Sequence, residues 1–196
     1  MNADQVTALR ILLGPSGWLE QTRFFARALR GRAPRGPGEL LLVGTPDDEP
    51  WHLAAHLDQE SRLAGIPGLA PTLVRWSPPP AAPPHLRVGL TRLEAARRGE
   101  TLFVVSPEAA PPPLLERVHD ARRAGATILA LDAGDPELDD MAHEYLAVPP
   151  GLAPVSFDAA QHLVSAATGE PPARTGLRGR LARLLDAVSG TSAPAE

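Results

Sequence analysis

Gly99 to Pro149 reads "GETLFVVSPEAAPPPLLERVHDARRAGATILALDAGDPELDDMAHEYLAVP", and its pattern decides the fold. "TLFVVS", 101–106, is a short unbroken apolar run, the signature of a strand buried on both faces. Proline-rich "PEAAPPP" leads into a helix over 113–124, with Leu114, Leu115 and Val118 facing inward. Proline is tolerated at a first helical turn because those N–H groups have no partner within the helix. Gly125 is a natural helix stop. A second run, "ATILALD" at 126–132, is the next strand. A short helix over 136–142 follows, then "EYLAVP" at 144–149.

The same alternation extends upstream. "ELLLVG", 39–44, reads as a strand and 49–64 as an amphipathic helix. "PTLVRW", 71–76, reads as a strand, and "SPPPAAPP", 77–84, as a stiff extended connector. Residues 86–98 read as helix on Leu86, Val88, Leu90 and Leu93. Strand–helix alternation with fully apolar strands predicts parallel pairing and helices on both faces. The expected fold class is therefore a three-layer α/β/α sandwich around a five-stranded parallel sheet.

Flanking segments complete the layout. Residues 1–38 read as a helical segment packed on the domain, broken at Gly14-Pro15, with Ser16 able to cap a second helix carrying Trp18, Leu19, Phe24, Phe25 and Leu29. The α/β domain spans 39–168, closed by a helix at 156–168. Residues 169–188 read as a linker and an amphipathic helix (177–188), and 189–196 as a disordered tail.

Composition narrows the function classes. The chain has 196 residues, long enough for one domain with a substantial core. Its formal charge of -4 and its 4% aromatic content argue against a nucleic-acid partner. All 19 Lys and Arg residues are arginine, so an isolated Arg is weak evidence for a phosphate clamp. No cysteine is present, which excludes disulfide and thiolate chemistry and fits a cytoplasmic location. No apolar stretch approaches the roughly 18 residues that span a bilayer, so no membrane partner is expected.

Gly99–Pro149 resembles the sugar isomerase (SIS) family, a phosphosugar-binding domain. The likeness lies in the order of a strand ending in a serine loop, a helix closing in "RRAGA", a strand, "DPELDDMA", and a strand ending in "VP". "FDAAQHLV", 157–164, looks like the family's last helix, and the pattern covers roughly residues 39–168. The resemblance implies the flavodoxin-like strand order 2-1-3-4-5. Strands 1 and 3 are then neighbours with their outgoing helices on opposite faces, a switch point where ligands bind at the carboxyl ends. It also implies a homodimer, since small SIS domains pair to complete their sites.

The loops that line this crevice depart from the family's motifs. The family's Gly-x-Gly-x-Ser is here Gly44-Thr45-Pro46-Asp47-Asp48. Its Ser-x-Ser-Gly-x-Thr is here Ser106-Pro107-Glu108-Ala109-Ala110-Pro111. Hydroxyls and backbone N–H groups normally hold phosphate. Proline offers no N–H, and carboxylates repel a dianion by about 1 kcal/mol each even in water. The candidate ligand-binding residues are Gly44, Thr45, Asp47, Asp48, Ser106 and Glu108, with the phosphosugar mode weakened. A neutral sugar, a cationic ligand or a metal-bridged phosphate remains open.

Other constellations have plainer readings beside them. Asp48, His52 and His56 fall at i, i+4 positions and, on one helix, share a face able to bind a metal. An ordinary helix start accounts for the same residues, so no metal or other cofactor is expected. His143 and Glu144, ahead of the fifth strand, are the candidate catalytic residues, because the family's isomerases need a base. Solvent-facing polar residues are the alternative. His119 and His162 lie within helices and read as structural or surface groups. The functional expectation is a noncatalytic SIS-like binding or regulatory module for a carbohydrate derivative. The alternative is an aldose–ketose isomerase of sugar phosphates, of the phosphoglucose/phosphomannose or phosphoheptose type.

Overall fold

A computed structural model of the protein describes residues 17–151 and 153–169. The expected helix before Gly14, the Ser16 cap, and the helix and tail after Gly169 lie outside the described residues. Five strands form one parallel sheet: β1 (Leu40–Val43), β2 (Pro71–Val74), β3 (Thr101–Ser106), β4 (Thr127–Asp132) and β5 (Glu144–Ala147). Their order is β2-β1-β3-β4-β5, all pairs parallel. In register, Leu40 lies between Pro71 and Thr101, and Ser106 lies opposite Asp132.

Six α-helices cover the sheet among the described residues: α1 (Gly17–Gly31), α2 (Trp51–Ala64), α3 (Thr91–Glu94), α4 (Pro112–Arg123), α5 (Pro136–Met141) and α6 (Phe157–Gly169). Because successive strand residues point to opposite faces, the apolar runs supply two cores at once. Leu40, Leu42, Phe103, Val105, Leu129 and Leu131 pack against Phe25 and Leu29 of α1, Leu53 and Leu57 of α2, and Leu163 and Val164 of α6. Leu41, Val43, Leu102, Val104, Ile128 and Ala130 pack against Leu93, Leu114, Val118 and Leu138 on the other face. Phe25 and Phe103 meet with ring centroids 5.5 Å apart and tilted by 52°, a geometry worth about 0.5–1.5 kcal/mol beyond area burial. The expected three-layer sandwich is therefore observed, with α2 and α4 on opposite faces. Residues 17–31 are an integral part of its core.

Local rules explain most boundaries. Helix α4 ends where Gly125 turns left-handed (φ 93°), and its N–H donates to the Arg122 carbonyl at 3.0 Å. Asp135 caps α5, its carboxylate accepting from the Glu137 and Leu138 N–H groups.

One expectation is overturned. Residues 86–98 do not form a helix; a 3-10 turn at Pro84–Leu86 and the four-residue α3 replace it. Beyond Val74 the edge of β2 still needs partners. Arg75 N–H donates to the Val88 carbonyl at 2.8 Å, and Arg75 bridges Gly89 in parallel. Pairing at Val88–Gly89 holds that stretch extended and delays the helix to Thr91. Likewise β2 stops at Val74 rather than at Trp76.

Candidate functional site

The carboxyl ends of β1 and β3 open onto the loops 44–50 and 106–111. The first loop folds back on itself. Thr45 N–H donates to the Asp48 carbonyl at 3.1 Å, and Asp48 N–H donates to the Thr45 hydroxyl at 3.1 Å. Gly44 is buried with no room for a side chain: a Cβ there would collide with the Asp48 carbonyl and lie 2.6 Å from Pro50 Cδ. The Gly44 carbonyl accepts from the Trp76 indole at 2.8 Å. Donors that could face a ligand are thus turned inward.

Glu49 is also engaged. It accepts from Arg75 Nε at 2.9 Å, from the Trp51 indole at 3.1 Å and from Trp76 N–H at 3.2 Å. The Arg75 guanidinium lies 4.6 Å from the Trp51 ring centroid, within cation–π range. This loop therefore carries a neutralised Glu49 and two exposed, unneutralised acids, Asp47 and Asp48.

The second loop is poorer still in donors. Ser106 is fully buried, and its hydroxyl donates to the Glu108 carbonyl at 2.7 Å. Ala110 N–H donates to the Asp135 carboxylate at 2.7 Å. Helix α4 begins with Pro111 as its N-cap and Pro112 and Pro113 after it, so three consecutive positions have no N–H. The next two N–H groups, of Leu114 and Leu115, both donate to the Pro111 carbonyl, at 2.8 and 3.2 Å. A helix start normally presents these groups to an anion. Here none of those five positions has one free.

A carboxylate pair stands beside this loop. Asp132, at the carboxyl end of β4, accepts from Gly134 and Asp135 N–H through one oxygen, and its side chain pairs with that of Asp139 as carboxylate to carboxyl. Burial first, and the Asp132 charge second, push Asp139 up to about 7; burial likewise raises Asp132.

Between α2 and α6 lies a cleft of about 420 Å³, with Asp48, Glu49, Trp51, His52 and Pro107 on one side and Phe157, Asp158 and Gln161 on the other. Of the six candidate ligand residues, Asp48 and no other lines this cleft. Gly44, Thr45 and Ser106 are buried and outside its lining, and Asp47 and Glu108 are exposed and outside it as well. Sequence reasoning missed Trp51, Phe157, Asp158 and Gln161, since no local pattern marks the approach of α6 to the start of α2.

Asp48 does not share a helical face with His52 and His56. Pro50 is the N-cap and α2 begins at Trp51, so Asp48 belongs to the loop. The two histidines instead meet His162 of α6, with ring centroids 6.3 and 4.7 Å apart. Among the described residues no group of three or more His, Cys, Asp or Glu is disposed to hold a metal. Burial lowers the His162 pKa, opposed by Asp158, whose carboxylate is 3.7 Å away.

His143 and Glu144 lie elsewhere. They stand at the amino end of β5, on the edge strand, whereas the loops and cleft lie at the carboxyl ends. His143 Nδ1 accepts from Ile128 N–H at 2.9 Å, and burial followed by the charges of Arg32 and Arg122 lowers its pKa. Glu144 pairs with Arg32 at 3.5 Å. Both line a groove of about 870 Å³ with Gln21, Phe24 and Tyr145. Within one chain they are not brought to the crevice.

Comparisons with solved structures place this architecture. The sugar isomerase domain of an RpiR transcription factor from Sphaerobacter thermophilus superposes with a TM-score of 0.51 at 18% identity, over 93% of this chain and 98% of that one. A proposed phosphosugar isomerase from Silicibacter pomeroyi DSS-3 gives 0.53 at 16% identity, over 95% of this chain and 54% of that one. A proposed sugar binding protein from Salmonella typhimurium LT2 gives 0.50 at 17%, over 91% and 51%. The chain thus spans about half the length of the latter two. No protein-family model and no curated protein matches the sequence. The fold is that of SIS domains. Among the described residues no helix is long and apolar enough to cross a membrane.

Proposed function

We propose that this protein is a noncatalytic, cytoplasmic SIS-like module that binds a carbohydrate derivative lacking a phosphate group and serves a regulatory or interaction role. One observation carries the reading: Pro111, Pro112 and Pro113 occupy the N-terminus of α4, so the helix facing the crevice has no N–H left for a phosphate. The inward-turned Thr45 and Ser106 hydroxyls and the exposed acids Asp47, Asp48 and Glu108 support it further. The separation of His143 and Glu144 from the crevice supports the absence of isomerase chemistry, which needs a base within reach of the sugar carbons. A homodimer is the expected assembly. Among the described residues no strand pairs with the outer edge of β5, and Tyr145 and Phe24 are exposed beside it, a surface suited to a second copy.

Calorimetric titration with fructose 6-phosphate, without added metal, tests the binding mode. No heat in the micromolar range is expected, and micromolar binding would overturn the proposal. A coupled isomerase assay tests the chemistry. Turnover abolished by Glu144→Gln would establish a catalyst instead.

A further inference from the structure

We propose that the cleft between α2 and α6 selects a cation: a small hydroxylated ligand bearing a protonated amine. The inference rests on the binding role proposed above and specifies its ligand class. Three carboxylates, Asp48, Glu49 and Asp158, line the cleft, and no arginine does among the described residues. That lining contrasts with a chain holding 19 basic side chains. Glu49 is neutralised by Arg75; among the described residues Asp48 has no cationic partner, and Asp158 on the opposite wall faces only His162. His162 approaches Asp158 no closer than 3.7 Å and is biased toward its neutral form by burial.

Independently of these charges, Gln161 points to a ligand. It is only 9% exposed, it lines the cleft, and its carboxamide makes no hydrogen bond among the described residues. Its amide atoms are not fully enclosed, so they open into the cleft, where a ligand's polar groups can meet them. Its carbonyl accepts from an ammonium or a hydroxyl, and its NH2 donates to a hydroxyl. Phe157 adds a flat apolar wall of the kind that covers a sugar face or an ammonium, and Trp51, with Arg75 over one ring face, lines the other side. An ammonium between Asp48 and Asp158 with hydroxyls on Gln161 would engage three polar side chains of the cleft, beside His52.

The test follows the Gln161 carboxamide and Trp51 indole resonances by ¹H–¹⁵N spectroscopy during titration with D-glucosamine, D-glucose and N-acetyl-D-glucosamine at slightly acidic pH. Glucosamine is expected to move both signals saturably and to bind on the order of tenfold more tightly than the two uncharged sugars. Asp48→Asn and Asp158→Asn, both at exposed side chains, should each weaken glucosamine about fivefold and glucose by less, narrowing the gap between the two sugars. Equal binding of charged and uncharged sugars, or indifference to both substitutions, would overturn the cation preference while leaving the binding role intact. If none of the three sugars moves either resonance, both proposals fail.

Discussion

The carbonyl oxygen of Asp48 stands where a side chain on Gly44 would have to be. The two residues bracket the turn that closes the first crevice loop, and the Thr45–Asp48 hydrogen bonds hold them there. Glycine is required at 44 by this close approach, not by a left-handed backbone, since Gly44 is not among the positive-φ residues. Gly44→Ala must therefore push the Asp48 peptide and Pro50 outward. Overpacking of this kind costs about 1–3 kcal/mol. The urea midpoint should fall accordingly; an unchanged midpoint would mean that the loop is looser than the contact implies.

Arg75 and Glu49 form an ion pair whose side chains are 17% and 15% exposed. Exposed pairs are worth about 0–1 kcal/mol, and breaking a fully buried pair costs about 3–5. A double-mutant cycle with Glu49→Gln and Arg75→Met should give a coupling of about 1–2 kcal/mol, between those limits. Trp51 fluorescence should shift in both single variants, because Arg75 covers its ring and Glu49 accepts its N–H. Zero coupling in chemical denaturation would reduce the pair to a surface contact.

Asp139 makes stability fall on the alkaline side. Its pKa is raised from the usual carboxylate range to about 7, by burial and then by Asp132. The folded state holds the proton more tightly than the unfolded state, so the stabilisation is full below the unfolded pKa and is lost as pH rises through about 7. Asp139→Asn keeps the neutral form at every pH. Thermal melts of the variant should lose less stability than the parent between pH 5 and 8. Parallel pH profiles for the two proteins would show that the pair carries no such linkage.

His162 works in the opposite direction. Its pKa is lowered, chiefly by burial, and His143 is lowered for the same leading cause. The unfolded imidazole takes up a proton first, so stability is lost as pH falls from the ordinary histidine value near 6.5 toward the lower folded one. His162→Gln should flatten the acid limb of the melting curve, with the remaining slope due in part to His143. An acid limb unchanged in steepness would place the sensitivity elsewhere.

Much of the architecture could be read from local chemistry. The runs at 39–44, 101–106 and 126–132 are apolar on both strand faces, and only a sheet covered on two sides buries such runs. The stop at Gly125 was visible as well. The apolar spacing of 86–98 suits a helix, but the backbone of Arg75 pairs with Val88 and holds that stretch extended instead. His143 and Glu144 precede a strand, and in a parallel sheet the start of a strand lies away from the carboxyl-end crevice. Their separation from the loops was therefore implicit in the predicted topology, although spacing along the chain alone does not display it.

The sequence by itself determined the layered α/β fold and the poverty of anion donors at the crevice. Both follow from covalent facts: which residues are apolar in succession, and which backbone nitrogens carry no hydrogen. Only the tertiary structure decided what lines the cleft. Asp48 and Trp51 meet Phe157, Asp158 and Gln161 because α2 and α6 pack side by side over the same sheet face. That packing is set by the summed burial of residues remote in the chain, and no local pattern encodes which polar side chains it leaves facing one another.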